Sequence, residues 1–110
     1  MDYPTRKEEM ILLAVFHLKE AASLVSIRKH LTDLTGSSWS VGNIYVPLDR
    51  LTRRGLLQSR VGEPNSQRGG KAVKYYGLAP MGRRALRELK EVHETLWDSA
   101  TGLAFERKDP

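Results

Sequence analysis

Ser40-Val41-Gly42-Asn43-Ile44-Tyr45-Val46-Pro47-Leu48-Asp49-Arg50-Leu51-Thr52-Arg53-Arg54-Gly55 reads as a helix with two unlike faces. Val41, Ile44, Leu48 and Leu51 fall at i, i+3, i+7 and i+10, one apolar stripe of a 3.6-residue period. Ser40 supplies an N-cap hydroxyl and Gly55 closes the helix. The opposite face carries Gly42, Asn43, Val46, Asp49, Arg50 and Arg53. Pro47 falls inside the pattern, where it removes one backbone hydrogen bond and is expected to kink the helix. Just upstream, Ile27, Leu31 and Leu34 repeat at i, i+4 and i+7, after an N-cap candidate at Ser26 and before Gly36. This predicts a short helix over 27–35, preceded by a small strand at Leu24-Val25. Gly36-Ser37-Ser38-Trp39 reads as a turn, with Trp39 packing in the core or turn. Two short helices joined by a tight, glycine-containing turn make a helix-turn-helix arrangement.

The flanks complete the architecture. Thr5-Arg6-Lys7-Glu8 has the capping-box spacing. It opens a first helix whose run Met10 to Phe16 has little polar face, so burial on most sides is expected, with an end near Lys19 or Glu20. Downstream, 56–61 and 72–78 read as two strands. Between them, 62–70 is rich in turn-formers, which makes a hairpin with a basic tip. Pro80 suits the first position of a last helix. There Leu86, Leu89, His93, Leu96, Ala100 and Leu103 repeat at spacings of three and four, with Val92 adding width. Such a seam suits the first helix of the same chain, a second copy of the chain, or both. Gly102 is a candidate early stop.

The expectation is a mostly α fold with a small β-hairpin wing: a winged helix-turn-helix with a three-helix core, a two-stranded wing and a C-terminal dimerisation helix. Residues 5–79 form the winged domain, 80–104 the dimerisation helix and 105–110 a loose tail.

Charge placement adds a functional hint. Between Ser26 and Tyr75 nine Lys/Arg face three acids, whereas from Met81 onward six face six. A basic middle beside a neutral end suits a polyanion-binding face joined to a part with another task. There is no cysteine, which excludes disulfides and thiolate chemistry. His17, His30 and His93 are scattered, and no P-loop, dinucleotide fingerprint or nucleophile motif occurs. An enzyme, a cofactor and a metal site are therefore not expected. The start lacks a signal-peptide pattern and the longest apolar run is too short to span a bilayer. A soluble, cytoplasmic protein is expected.

Two motifs narrow the family. Gly42-Asn43-Ile44-Tyr45-Val46-Pro47-Leu48-Asp49-Arg50-Leu51-Thr52-Arg53-Arg54-Gly55-Leu56 resembles the PadR-like signature G-x-[IL]-Y-x-x-L-x-R-L-x-x-x-G-L. Arg68-Gly69-Gly70 to Leu86 is similar to that family's wing and its entry to the last helix. The resemblance covers about Glu8 to Leu103. It implies a homodimeric transcriptional regulator, commonly a repressor, that pairs through its first and last helices. Some members bind flat aromatic ligands between subunits. Ala79 departs from the family, which usually has Thr or Ser there, so the last helix lacks its N-cap hydroxyl.

On that basis the helix after the turn is expected to enter the major groove by its N-terminal end. Ser40, Asn43 and Tyr45 are the candidate readers there. Asn43 suits adenine and Tyr45 suits a phosphate. Arg50, Arg53 and Arg54 on the same helix, and Arg28 and Lys29 on the one before, are candidate phosphate contacts. Arg68, Lys71 and Lys74 are candidates on the wing. The expected dimer interface comprises Leu86, Leu89, Val92, His93, Leu96, Trp97, Ala100 and Leu103, with Trp97 a candidate stacking surface for a small aromatic effector. The expected partners are double-stranded DNA, at a pseudo-palindromic operator, and a second copy of the chain. The alternative is a winged-helix module that binds protein without binding DNA.

Overall fold

The computed structural model describes residues 3–62, 72–100 and 102–103. Helix α1 spans Arg6–Leu18. The expected capping box holds its start: the Glu8 N–H donates to Thr5 Oγ1 at 3.1 Å, and the Thr5 N–H donates to Glu8 Oε1 at 2.8 Å. Ile11, Leu12, Ala14 and Val15 are buried, but Leu13 and Phe16 stand half exposed. The first helix is thus not enclosed on most sides within one chain. Its outward flank is a second apolar face. A 3-10 turn over Lys19–Ala21 follows.

Helix α2 spans Leu24–Thr35, so Leu24-Val25 is helix rather than strand. Ser23, not Ser26, is the N-cap. The Ser26 N–H donates to Ser23 Oγ at 3.2 Å and the Ser23 N–H donates to Ser26 Oγ at 2.8 Å. Two serines three apart thus make a reciprocal box like that of Thr5 and Glu8. The strand expected here shrinks to one bridge, between Ser23 and Tyr75. Ile27 and Leu31 are buried, but Leu34 lies past the core in the last turn and is exposed. Gly36 then takes the left-handed conformation, with φ 71°.

Helix α3 spans Val41–Arg53 and runs through Pro47 without a break. The buried set is Ile44, Pro47, Leu48 and Leu51, at i, i+3, i+4 and i+7. Pro47 therefore belongs to the core stripe, while Val41 at the first position is exposed. Gly55, at φ 82°, turns the chain into the hairpin.

Strands β1, Leu57–Val61, and β2, Lys74–Leu78, pair antiparallel from Leu57 opposite Leu78 to Val61 opposite Lys74. A two-stranded hairpin alone is marginal in water. Here its base is anchored: the Tyr76 N–H donates to the Ala22 carbonyl at 2.8 Å, and the Ala79 N–H donates to that of Leu56 at 3.0 Å.

Helix α4 spans Pro80–Asp98 with Pro80 at its start. It ends at Asp98, short of the expected 104, so Ala100 and Leu103 lie beyond it. The core gathers Ile11, Leu12 and Val15 of α1, Ile27 and Leu31 of α2, and Ile44, Leu48 and Leu51 of α3. Trp39, Leu56, Leu57 and Tyr76 complete it. Among the described residues, no helix is long and apolar enough to cross a membrane.

Ala79 has N-cap backbone geometry, with φ −74° and ψ 162°, but no side-chain cap. Ala79→Ser is expected to raise the unfolding free energy by about 0.5–1 kcal/mol, as restored caps do. Urea denaturation checks this, and an unchanged midpoint would show that the backbone there holds the helix without a hydroxyl.

Candidate nucleic-acid interface

The outward side of α3 begins at Ser40, whose hydroxyl accepts from the Asn43 N–H at 3.1 Å. Ser40 is thus committed as a cap. Gly42, Asn43, Tyr45 and Val46 follow, all exposed. Tyr45 stands near the wing base, because Tyr45 and Asp49 both act on Tyr76. Burial first, then the charges of Tyr45 and Asp49, raise the Tyr76 hydroxyl above the usual phenol range. One turn on, Arg53 pairs with Asp49 at 3.1 Å while staying largely exposed.

Arg50 and Arg54 are placed differently from their neighbour. Glu8 is 2% exposed, and its two carboxylate oxygens take both arginines: Arg50 Nη1 on Oε2 at 3.3 Å, and Arg54 Nη1 on Oε1 at 3.6 Å. The capping-box glutamate of α1 therefore also fixes the second half of α3. Sequence spacing shows Glu8 only as a cap, because its partners lie more than forty residues away.

The preceding helix carries the expected contacts Arg28 and Lys29, and both have partners within the chain. Arg28 Nε donates to the Trp39 carbonyl and so holds the turn between α2 and α3. Trp39 is buried, and its indole N–H donates to Thr35 Oγ1 at 3.2 Å. Lys29 pairs with Asp33 at 3.0 Å on the surface. On the hairpin, Lys74 is exposed opposite Val61. Arg68 and Lys71 lie outside the described residues. Arg60, not singled out in the sequence, lies over the Tyr75 ring at 4.8 Å and binds Glu20.

An open groove of about 880 Å³ lies between α1 and α4. Leu13 and Phe16 line it from α1; Leu86, His93 and Trp97 line it from α4. Of the expected interface residues, Leu89 is buried within the chain, and Leu86, Val92 and His93 are partly buried. Leu96, Trp97 and Leu103 are exposed. His93 Nε2 lies 3.0 Å from Glu9 Oε2 and ties α4 to α1.

This order of helices, turn and wing, with both motifs placed on it, is that of a known group. The profile of the "Transcriptional regulator PadR-like family" matches residues 12–88, most of the winged domain and half of α4. The chain belongs to the PadR-like family.

The solved structures agree. A PadR-like transcription factor from Bacteroides fragilis is 29% identical, with a TM-score of 0.76 over 90% of this chain and 93% of that one. A PadR family transcriptional regulator from Eggerthella lenta is also 29% identical, with a TM-score of 0.70 over 88% and 82%. A Staphylococcus aureus MepR mutant bound to an oligodeoxyribonucleotide shares the fold at 16% identity, with a TM-score of 0.66 over 93% and 67%. No curated protein matches. Among the described residues no group of three or more His, Asp or Glu could hold a metal ion.

Proposed function

We propose that this PadR-like chain is a sequence-specific DNA-binding regulator, acting as a homodimeric repressor at a pseudo-palindromic operator. The observation that carries the reading is the exposed row Gly42, Asn43, Tyr45 and Val46 at the start of α3. A recognition helix meets base edges with this end. Asn43 is assigned to adenine and Tyr45 to a phosphate. Arg53, Lys29 and Lys74 neutralise backbone charge together with Arg68 and Lys71, while Arg28, Arg50 and Arg54 chiefly hold the reading helix in place. Fluorescence polarisation against the chain's own upstream promoter and a scrambled duplex, at two salt concentrations, tests this. Tight, salt-sensitive binding that prefers the promoter supports it. Salt-insensitive or absent binding overturns it in favour of a protein-docking winged helix.

Homodimerisation rests on the half-exposed Leu13 and Phe16, which share a groove with Trp97, and on the exposed Leu96, since apolar surface of this kind on a small domain marks an interaction site. Leu13→Lys is expected to leave the fold intact and yield a monomer in sedimentation, with at least tenfold weaker promoter binding. A dimer of undiminished stability would move the interface elsewhere. Trp97, on the rim of the same groove, is assigned to stacking a planar aromatic effector, which quenching of its fluorescence would report.

A further inference from the structure

Gly42 stands in the first turn of α3, where glycine is the least favourable helix residue after proline. The fold does not need it there. Its backbone is not in the left-handed region, and a Cβ built on it would meet nothing within 4 Å. Val46 lies four residues on, on the same face of the helix, and its branched side chain is 51% exposed. Helical side chains lean toward the helix N-terminus, so Val46 leans toward the open space at Gly42 without filling it. Val46 does not line the groove between α1 and α4, so that groove does not account for its exposure. On one side of this apolar notch stands Asn43, exposed. One turn beyond it Asp49 is tied to Arg53 at 3.1 Å.

In the major groove one base offers an apolar group, thymine, through its C5 methyl. We propose that Gly42 and Val46 together select a thymine methyl in each half-site: Gly42 by admitting the helix close to the groove floor, Val46 by covering the methyl. This inference deepens the DNA-binding reading given above and rests on it. It makes Val46 and Gly42 determinants of sequence preference rather than of general affinity, because neither carries a charge or a hydrogen-bonding side chain.

The test uses the full chain. A duplex is enriched by it from a random library, and each thymine is then replaced singly by deoxyuridine, which removes the methyl and nothing else. One thymine per half-site is expected to respond with about a fourfold loss of affinity, the factor that one buried CH2-sized group contributes. Val46→Ala is expected to lose a similar factor on the thymine duplex and to ignore the deoxyuridine replacement. Gly42→Ala is expected to raise Tm by a few degrees while weakening binding to the same duplex, opposite signs that a structural role would not give. Wild-type indifference to every replacement overturns the proposal, as does a Val46→Ala protein that keeps the full deoxyuridine penalty. If the library enriches no duplex at all, the DNA-binding reading falls and takes this inference with it. An enriched duplex without methyl dependence overturns this inference alone.

Discussion

Replacing Arg50 and Arg54 together by alanine is expected to lower the unfolding free energy by about 3–5 kcal/mol, the usual cost of leaving a buried charge without its partner. The carboxylate left without a counter-charge would be that of Glu8, which has almost no access to water and would keep only the Thr5 N–H. The reverse substitution should cost less. Glu8→Ala leaves two guanidiniums whose side chains are 53% and 35% exposed and can regain water. What remains is the lost half of the capping box and some packing, together about 2 kcal/mol. Guanidinium chloride denaturation of the two variants ranks these costs. A Glu8→Ala protein less stable than the double arginine variant would show that the cap, not charge burial, dominates at this site.

Gly82→Ala is expected to destabilise the domain by about 2–3 kcal/mol, although alanine is the better helix former. A Cβ at this position would lie 2.1 Å from the Leu56 carbonyl oxygen and 3.3 Å from a methyl of Leu78. The first of these neighbours is backbone, and it already accepts the Ala79 N–H. Neither α4 nor the start of the hairpin can yield without disturbing the other. For a domain of this size, that loss corresponds to a fall in Tm of roughly 10–20 °C. Differential scanning calorimetry reads it directly, and a fall under 3 °C would mean that α4 is free to ride outward. The close approach of the Leu56 carbonyl is the steric reason for glycine at this position.

The parts of this fold legible in the sequence are those written in short-range code. Thr5 with Glu8, Ser40 before Asn43, Gly36 after Thr35 and Pro80 at a helix start each act within about one helical turn, so spacing alone reveals them. Periodicity also found the buried Ile27, Leu31, Ile44, Leu48 and Leu51. It overreached at helix ends, where Leu34 and Val41 continue a stripe after the neighbouring elements have stopped. It misread Ser23 because a Ser-x-x-Ser box lacks the acidic partner that marks the commoner form, and because two apolar residues after it look like strand. The exposed face at the start of α3 follows from the sequence period, but the ion pairs of its arginines do not. Arg50, Arg53 and Arg54 are chemically alike and nearly adjacent, and only the packing of α1 against α3 makes two of them partners of Glu8. The seam of α4 shows a related limit: its spacing continues to Leu103 although the helix ends at Asp98.

Glu8 and Glu9 are consecutive, yet they serve different elements: Glu8 grips α3 through Arg50 and Arg54, and Glu9 grips α4 through His93. Along the axis of α1 the two attachments are separated by about 1.5 Å of hydrogen-bonded backbone, among the stiffest lengths a polypeptide offers. In mechanical terms the first turn of α1 is a common shaft with two cranks. No loop lies between the two attachments. The hold on α3 and the hold on α4 thus meet within a single turn of α1.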